Sequence, residues 1–320
     1  MFFITVATML AGAVPVATPA APPVIAIPAA ITPKQRTLIR AEVLLDRAHF
    51  SPGVIDGSDG ANLRQAVSAY QAAHGLTIDG KVSDALITAM ATTDTVNSVQ
   101  NYTITDADVA GPFVAKLPTD LAELAKLDSP AYSGPVEQLA ERFHMDEVLL
   151  KALNPEADFG KPGTVLVVTA VAVEKLSSEV ARIEVDKGKQ AVRAFGADGT
   201  LLASYPATVG SAERPAPTGT WAVRAVAPAP NYTFDPKRLT FGKPGLGKLT
   251  IKPGPNNPVG STWIALTKDT YGIHGTPDPR LIGKRASHGC VRLTNWDAHQ
   301  LGASVKAGAK VEFMGTETRG

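Results

Sequence analysis

The feature that most constrains this chain is a change of hydrophobic period partway along it. Up to about residue 170 apolar residues recur at helical spacing, and from Arg182 onward they alternate, as strands with one buried face do. One set of packed layers does not serve both patterns. A chain of 320 residues has room for two or three domains, so helical units followed by a β unit is the expectation.

In the helical part, Leu38, Ala41, Leu44 and Leu45 share one face of a first helix, which Phe50-Ser-Pro-Gly ends. Leu63, Ala66, Val67 and Tyr70 share a face of a second, and a third short helix follows around Ser83 to Met90. Asp56-Gly57 and Asp79-Gly80 each follow an isoleucine, a repeated turn between small helices. Residues 100–170 open with the strand-like YTIT and close with GKPGTVLVV. Between them VEQLAERFHMDEVLLKALNP reads as two helices with Leu139, Phe143, Val148, Leu149 and Leu153 turned inward. The stretch from Asp106 to Ser133 is longer than a simple connection and holds its own helical run, LPTDLAELAKL.

Beyond Arg182, the runs ARIEV, QAVRAF, TLLASYPATVG, TWAVRAV, KLTI, TWIAL and AKVEFM are short strands divided by Gly, Pro and Asp turns, with one helix expected near Asn295 to Ser304. The excursion APAPNYTFDPKRLTFGKPGLGKL, within residues 227–260, is too long for a hairpin loop. Connections of that length usually cover or bind something.

The 31 basic and 30 acidic residues nearly cancel, and no basic cluster carries interleaved aromatics, so a nucleic-acid partner is not expected. The start, MFFITVATMLAGAVPVATPAAPP, is apolar, of signal-peptide length, and followed by small-residue sites such as Ala17 to Ala20. It is too short and too proline-broken for a stable membrane span, though no Lys or Arg precedes Lys34. Residues 1–33 are therefore expected to be a signal peptide and Ala/Pro-rich lead, with export to the periplasm or cell envelope.

Cys290, in Ser-His-Gly-Cys, is the sole cysteine. In an oxidising compartment an unpaired thiol is a liability without a task, which makes a reactive role more attractive than a packing one. A cysteine nucleophile needs a thiol pKa below its usual ~8.5, which a hydrogen-bonded imidazole supplies, and the imidazole needs a third group to fix its tautomer. His274 and His288 are the imidazoles at hand. Amides around Gly289 and Cys290 can face an oxyanion, and Arg292 falls on the same side of an extended strand as Cys290. Metal binding by His274, His288 and Cys290 is disfavoured, because no second cysteine or acidic ligand stands at finger-like spacing. His49, His74, His144 and His299 read as ordinary module or surface histidines.

These motifs resemble known families. PGVIDG, AVSAYQAAHGL and TIDGKVSDA, over about 38–93, are similar to the peptidoglycan-binding domain type 1. The strand, two helices, LNP and PGTVLVV of the second stretch resemble a LysM domain. YGIHGT followed by SHGCVRL, with PAPTGTW, NYTF and PGPNNPVGSTWIAL upstream, resembles the L,D-transpeptidase catalytic domain of the YkuD family over about 181–314.

The resemblance implies a multidomain chain. It has a small all-α three-helix peptidoglycan-binding module (34–96), a small α+β LysM-like module (99–172) and a mainly-β, sandwich-like catalytic domain (181–316). It implies Cys290 as nucleophile and His274 as general base, oriented by the backbone carbonyl of Gly275. Ser287, His288 and Gly289 would line the oxyanion and substrate site, with Arg292, Tyr232 and Tyr271 as substrate contacts. Arg292 stands where other members carry Asn. The implied reaction is transfer of a peptidoglycan stem peptide through a Cys290 thioester to an amine, giving 3→3 cross-links, without cofactor or metal. Water, a free D-amino acid or a protein lysine are alternative acceptors, and a non-catalytic wall-binding protein is the rival of a different class.

Overall fold

A computed structural model of the protein describes residues 25–171, 175–211, 215–238, 245–284 and 289–317. Thr32 opens helix α1 (Pro33–Arg47) with a capping box completed by Gln35, and Pro33 brings a φ already suited to the first turn. Helices α2 (Ala61–Ala73) and α3 (Asp84–Ala91) follow, the latter capped by the Ser83 hydroxyl. The expected apolar faces of α1 and α2 meet, closed by Leu86, Ile87 and Met90, in one core.

The second unit runs strand β1 (Val99–Thr103), one-turn helices α4 (Asp106–Val109) and α5 (Leu121–Leu124), helices α6 (Pro135–Arg142) and α7 (Glu147–Leu153), and strand β2 (Val165–Thr169). The strands pair antiparallel. One position departs from expectation. Val148 is 72% exposed, and the buried line of α7 is Leu149, Leu150 and Leu153. Asp146 caps the Val148 amide, which sets Val148 in the first turn on the solvent side.

The two units are not independent beads. The core around Leu139, Leu150 and Leu166 also takes in Ile31, just ahead of the first unit, and Ile39, Val43 and Ile55 within it, so α1 is buried on two sides.

The C-terminal domain comprises β3 (Val180–Asp186), β4 (Ala191–Phe195), β5 (Leu201–Pro206), β6 (Thr208–Val209), β7 (Gly219–Pro228), β8 (Tyr232–Phe234), β9 (Leu249–Ile251), β10 (Thr262–Leu266), β11 (Gly272–His274), β12 (Val291–Arg292), helix α8 (Asn295–Ser304) and β13 (Val305–Met314). Among the described residues nine of these strands form one mixed sheet in the order β5-β4-β3-β13-β7-β10-β11-β12-β6. Only Ala207 separates β5 from β6, yet they occupy opposite ends of that order. The sheet must therefore curl until its edges approach, which encloses the core of Ile183, Val192, Tyr205, Ile264, Ile273 and Val311. Helix α8 adds Ala298 and Leu301 to that core.

Both helical units touch this domain. Ser51 and Ser204 exchange backbone bonds with the facing strand, from the Ser51 amide to the Ser204 carbonyl and from the Ser204 amide to the His49 carbonyl, each 2.9 Å. The long Asp106–Ser133 segment ends against the proline-rich excursion. There the Ser129 hydroxyl donates to the Pro253 carbonyl at 2.8 Å, and Asn256 donates to the Ala131 carbonyl at 3.0 Å. Among the described residues no helix is long and apolar enough to cross a membrane.

Candidate active site

Strands β11 and β12 run parallel, with Ile273 beside Val291 and His274 beside Arg292. Alternation along each strand then puts His274, Arg292 and Cys290 on one face, with Cys290 next to Gly272. Strand β10 extends the same face: Trp263 is opposite His274 and its indole stacks on the imidazole, 5.3 Å between centroids. Glycine is required at 272, since a Cβ there would lie 2.5 Å from the Trp263 ring.

His274 is 3% exposed, and its Nδ1 is 2.7 Å from the Gly275 carbonyl. A carbonyl can only accept, so Nδ1 carries the proton and Nε2 keeps its lone pair. Burial, reinforced by the Arg292 guanidinium, pushes the imidazole pKa down to about 3. At neutral pH His274 is therefore uncharged and free to take a proton.

Cys290 is half-buried, and its Sγ lies 3.9 Å from the Thr270 carbonyl. Crowding by protein atoms pushes the thiol pKa up, while the Gly272 amide and Arg292 pull it down less strongly. This corrects the expectation of a lowered thiol pKa. Desolvation disfavours both the thiolate and the imidazolium before any substrate arrives.

Arg292 is half-buried, and among the described residues no carboxylate pairs with it. Tyr232, on the β8–β9 hairpin, stands close to both groups. Its hydroxyl pKa is pushed up to about 12 by burial and by Cys290, against a smaller opposing pull from Arg292. Within the excursion, β8 and β9 pair antiparallel and bring Tyr232 near the thiol. Tyr271 borders Gly289, whose φ of 105° suits only glycine and where a Cβ would lie 3.1 Å from the Tyr271 ring. The Lys268 ammonium sits 5.3 Å from the same ring. Ser287 and His288 lie outside the described residues.

Three neighbours were not foreseen: Trp263, Asn295 and Glu141. The polar Asn295 directly after the cysteine motif was the available signal for one of them. Glu141 belongs to a different unit and carries no local signal. His144, read as an ordinary module or surface histidine, is instead buried, with Nδ1 2.9 Å from Asp46 Oδ2 and its ring stacked on Trp296 at 4.8 Å. It sits where all three units meet.

Sequence comparison agrees with this architecture. Residues 180–313 match the YkuD family, "L,D-transpeptidase catalytic domain", and residues 37–90 match "Putative peptidoglycan binding domain". The "Putative L,D-transpeptidase YkuD" of Bacillus licheniformis is 26% identical over 178 residues, 56% of this chain and 92% of its own length. The "Probable L,D-transpeptidase ErfK/SrfK" of Escherichia coli K12 is 29% identical over 185 residues, 56% of this chain and 59% of its own. A solved L,D-transpeptidase from Mycobacterium smegmatis, 19% identical, superposes with a TM-score of 0.35 over 48% of this chain and 75% of its own.

The C-terminal domain is an L,D-transpeptidase catalytic domain of the YkuD family. The chain is accordingly an enzyme of the L,D-transpeptidase class with a peptidoglycan-binding domain ahead of its catalytic one.

Proposed function

We propose that the protein is an exported peptidoglycan L,D-transpeptidase of the cell envelope that works through a Cys290 thioester. Cys290 Sγ attacks the carbonyl of the third, diamino-acid residue of a tetrapeptide stem, and the thiol proton passes to His274 Nε2. The tetrahedral adduct collapses, the C–N bond to the terminal D-Ala breaks, and the departing amine takes that proton. An amine of a second stem then attacks the thioester and gives its proton to His274. The C–S bond breaks, the new amide forms, and the proton returns to sulphur. The acyl group is never released to water on this route, which suits an amine acceptor.

The observation that carries the reading is His274, its Nδ1 committed to the Gly275 carbonyl, on one sheet face with the sole cysteine. Arg292, beside the thiol and without a carboxylate partner among the described residues, is suited to an anionic group of the donor stem. Tyr232 and its hairpin form one wall of the cleft. The helical units hold the enzyme at an immobile polymer, where local concentration offsets slow turnover.

Intact-protein mass spectrometry with a tetrapeptide-stem donor tests the nucleophile: the wild type gains the acyl mass and Cys290→Ala does not. A persistent adduct on the Ala variant sinks the assignment. Muropeptides from sacculi incubated with the enzyme identify the acceptor, with 3→3 dimers expected to accumulate and shortened or exchanged stems marking water or a D-amino acid instead.

A further inference from the structure

Asn295 opens α8, but its carboxamide turns aside from the helix and lies buried between loops, with the residue 3% exposed. Its Oδ1 accepts from the Ser261 amide at 3.0 Å and the Thr276 amide at 3.1 Å. Its Nδ2 donates to both carboxylate oxygens of Glu141, each at 3.0 Å, and to the Pro255 carbonyl at 3.1 Å. Such an approach to backbone needs glycine on both sides: a Cβ on Gly260 or on Gly275 would lie 2.1 Å from Asn295 Oδ1.

The Thr276 amide and the Gly275 carbonyl are the two ends of a single peptide unit. In a planar trans peptide they point in opposite directions. Asn295 holds the N–H end, and His274 Nδ1 holds the C=O end at 2.7 Å. An unbroken file of hydrogen bonds therefore joins the Glu141 carboxylate to the imidazole, through the Asn295 carboxamide and the Gly275–Thr276 peptide. Every donor in the file points toward Glu141, so the dipoles align head to tail and polarise one another.

We infer that Glu141, carried by the second unit, is a positioning residue for His274: through Asn295 and the Gly275–Thr276 peptide its carboxylate fixes the imidazole tautomer and makes Nε2 a better base. This rests on the reading of His274 as the general base. It gives the second unit a catalytic-site task besides any hold on glycan. That unit also grips the root of the Tyr232 hairpin through Asn256, whose side chain donates to Glu137 at 2.8 Å. Both walls of the site thus answer to it.

The groups around Glu141 are the Tyr132 hydroxyl, which donates to it at 3.0 Å, Glu137 on its own helix, and His144. Asp146, Glu147, Asp278 and Arg280 share the adjoining cleft. Burial pushes the Glu141 pKa up to about 7; bonds from Asn295 and Tyr132 and the nearby His144 oppose this, and Glu137 adds to it. The terminal charge of the file therefore changes within the neutral range.

Glu141→Gln keeps the size and an acceptor oxygen but removes the charge. We expect donor-stem acylation of Cys290, followed by intact mass, to slow about tenfold at pH 8, with KM within about twofold and the melting temperature preserved. The rise in acylation rate through pH 7 should flatten. In the full-length protein, the His274 Nδ1 proton resonance should move upfield. A variant that acylates at the wild-type rate across pH 5.5–9, or one whose loss merely follows its folded fraction, overturns the inference, as does an unmoved Nδ1 resonance. If the wild type forms no adduct with the stem, the substrate reading has failed, and the resonance alone still decides the relay.

Discussion

His274 and His144 are near twins in packing and opposites in use. Both are buried, both stack on a tryptophan, and both commit Nδ1 to an oxygen. The oxygen differs: a neutral backbone carbonyl for His274, the Asp46 carboxylate for His144. The neighbours differ too. Arg292 flanks His274, whereas His144 stands among Asp46 and Asp297, which lines the same junction cavity of about 170 Å³. His274 shares its strand face with a thiol, whereas His144 joins three units: Asp46 comes from α1, His144 follows α6, and Trp296 and Asp297 lie on α8. Burial and an aromatic partner therefore do not make a base. A nucleophile on the same face does.

Substituting each histidine in turn breaks or sharpens this contrast most strongly. His274→Asn should lower the rate of Cys290 acylation by about 10²–10⁴ while the protein stays folded. His144→Asn should leave acylation per folded molecule within about twofold and lower the melting temperature. The reverse pattern would overturn the comparison. Next in size, Asp46→Ala should cost roughly 3 kcal/mol in a denaturant titration, because it strips a buried partner from the junction.

Iodoacetamide labelling reads the resting thiol. With an uncharged Cys290–His274 pair, the alkylation rate should climb about tenfold per pH unit up to and beyond pH 8. A plateau between pH 5 and 7 would reveal a preformed thiolate–imidazolium pair and reject the uncharged resting state.

The smallest effect concerns the pH dependence of stability. Burial raises the Asp297 pKa to about 7, above an unfolded value near 4, so the unfolded chain binds fewer protons in that window. Its contribution is thus full at low pH and lost as pH rises from about 4 to 7. The His274 pKa of about 3 lies below its unfolded ~6.5, so its effect has the other sign: stability is lost as pH falls through that window. Asp297→Asn, which still accepts from the Ser51 hydroxyl, should reduce the gain in unfolding free energy on acidification from pH 7 to 5. His274→Asn should enlarge it. Denaturation midpoints at the two pH values provide the measurement.

Much of the fold was legible because helical and strand periods are local. The faces of α1 and α2 follow from spacing alone. Val148 misled because capping geometry, not periodicity, governs a first turn. At the candidate site, the sole cysteine stood out by residue type, while His274 and the following glycine were picked out by the resemblance of YGIHGT and SHGCVRL to a family motif. The direction of the thiol pKa was not, since it depends on how many protein atoms crowd the sulphur. Asn295 and Glu141 escaped because nothing in either segment says that they meet.

The sequence by itself determined the period of most helices and strands, that the chain has one thiol, and which residues are able to accompany it. Tertiary structure decided that His274 is buried beside Arg292, that α1 serves two cores at once, and that a carboxylate from the second unit ends the hydrogen-bond file behind His274. The reason is that periodicity and residue chemistry act over a few neighbours. Desolvation, electric field and hydrogen-bond partnership are sums over groups that only folding brings together.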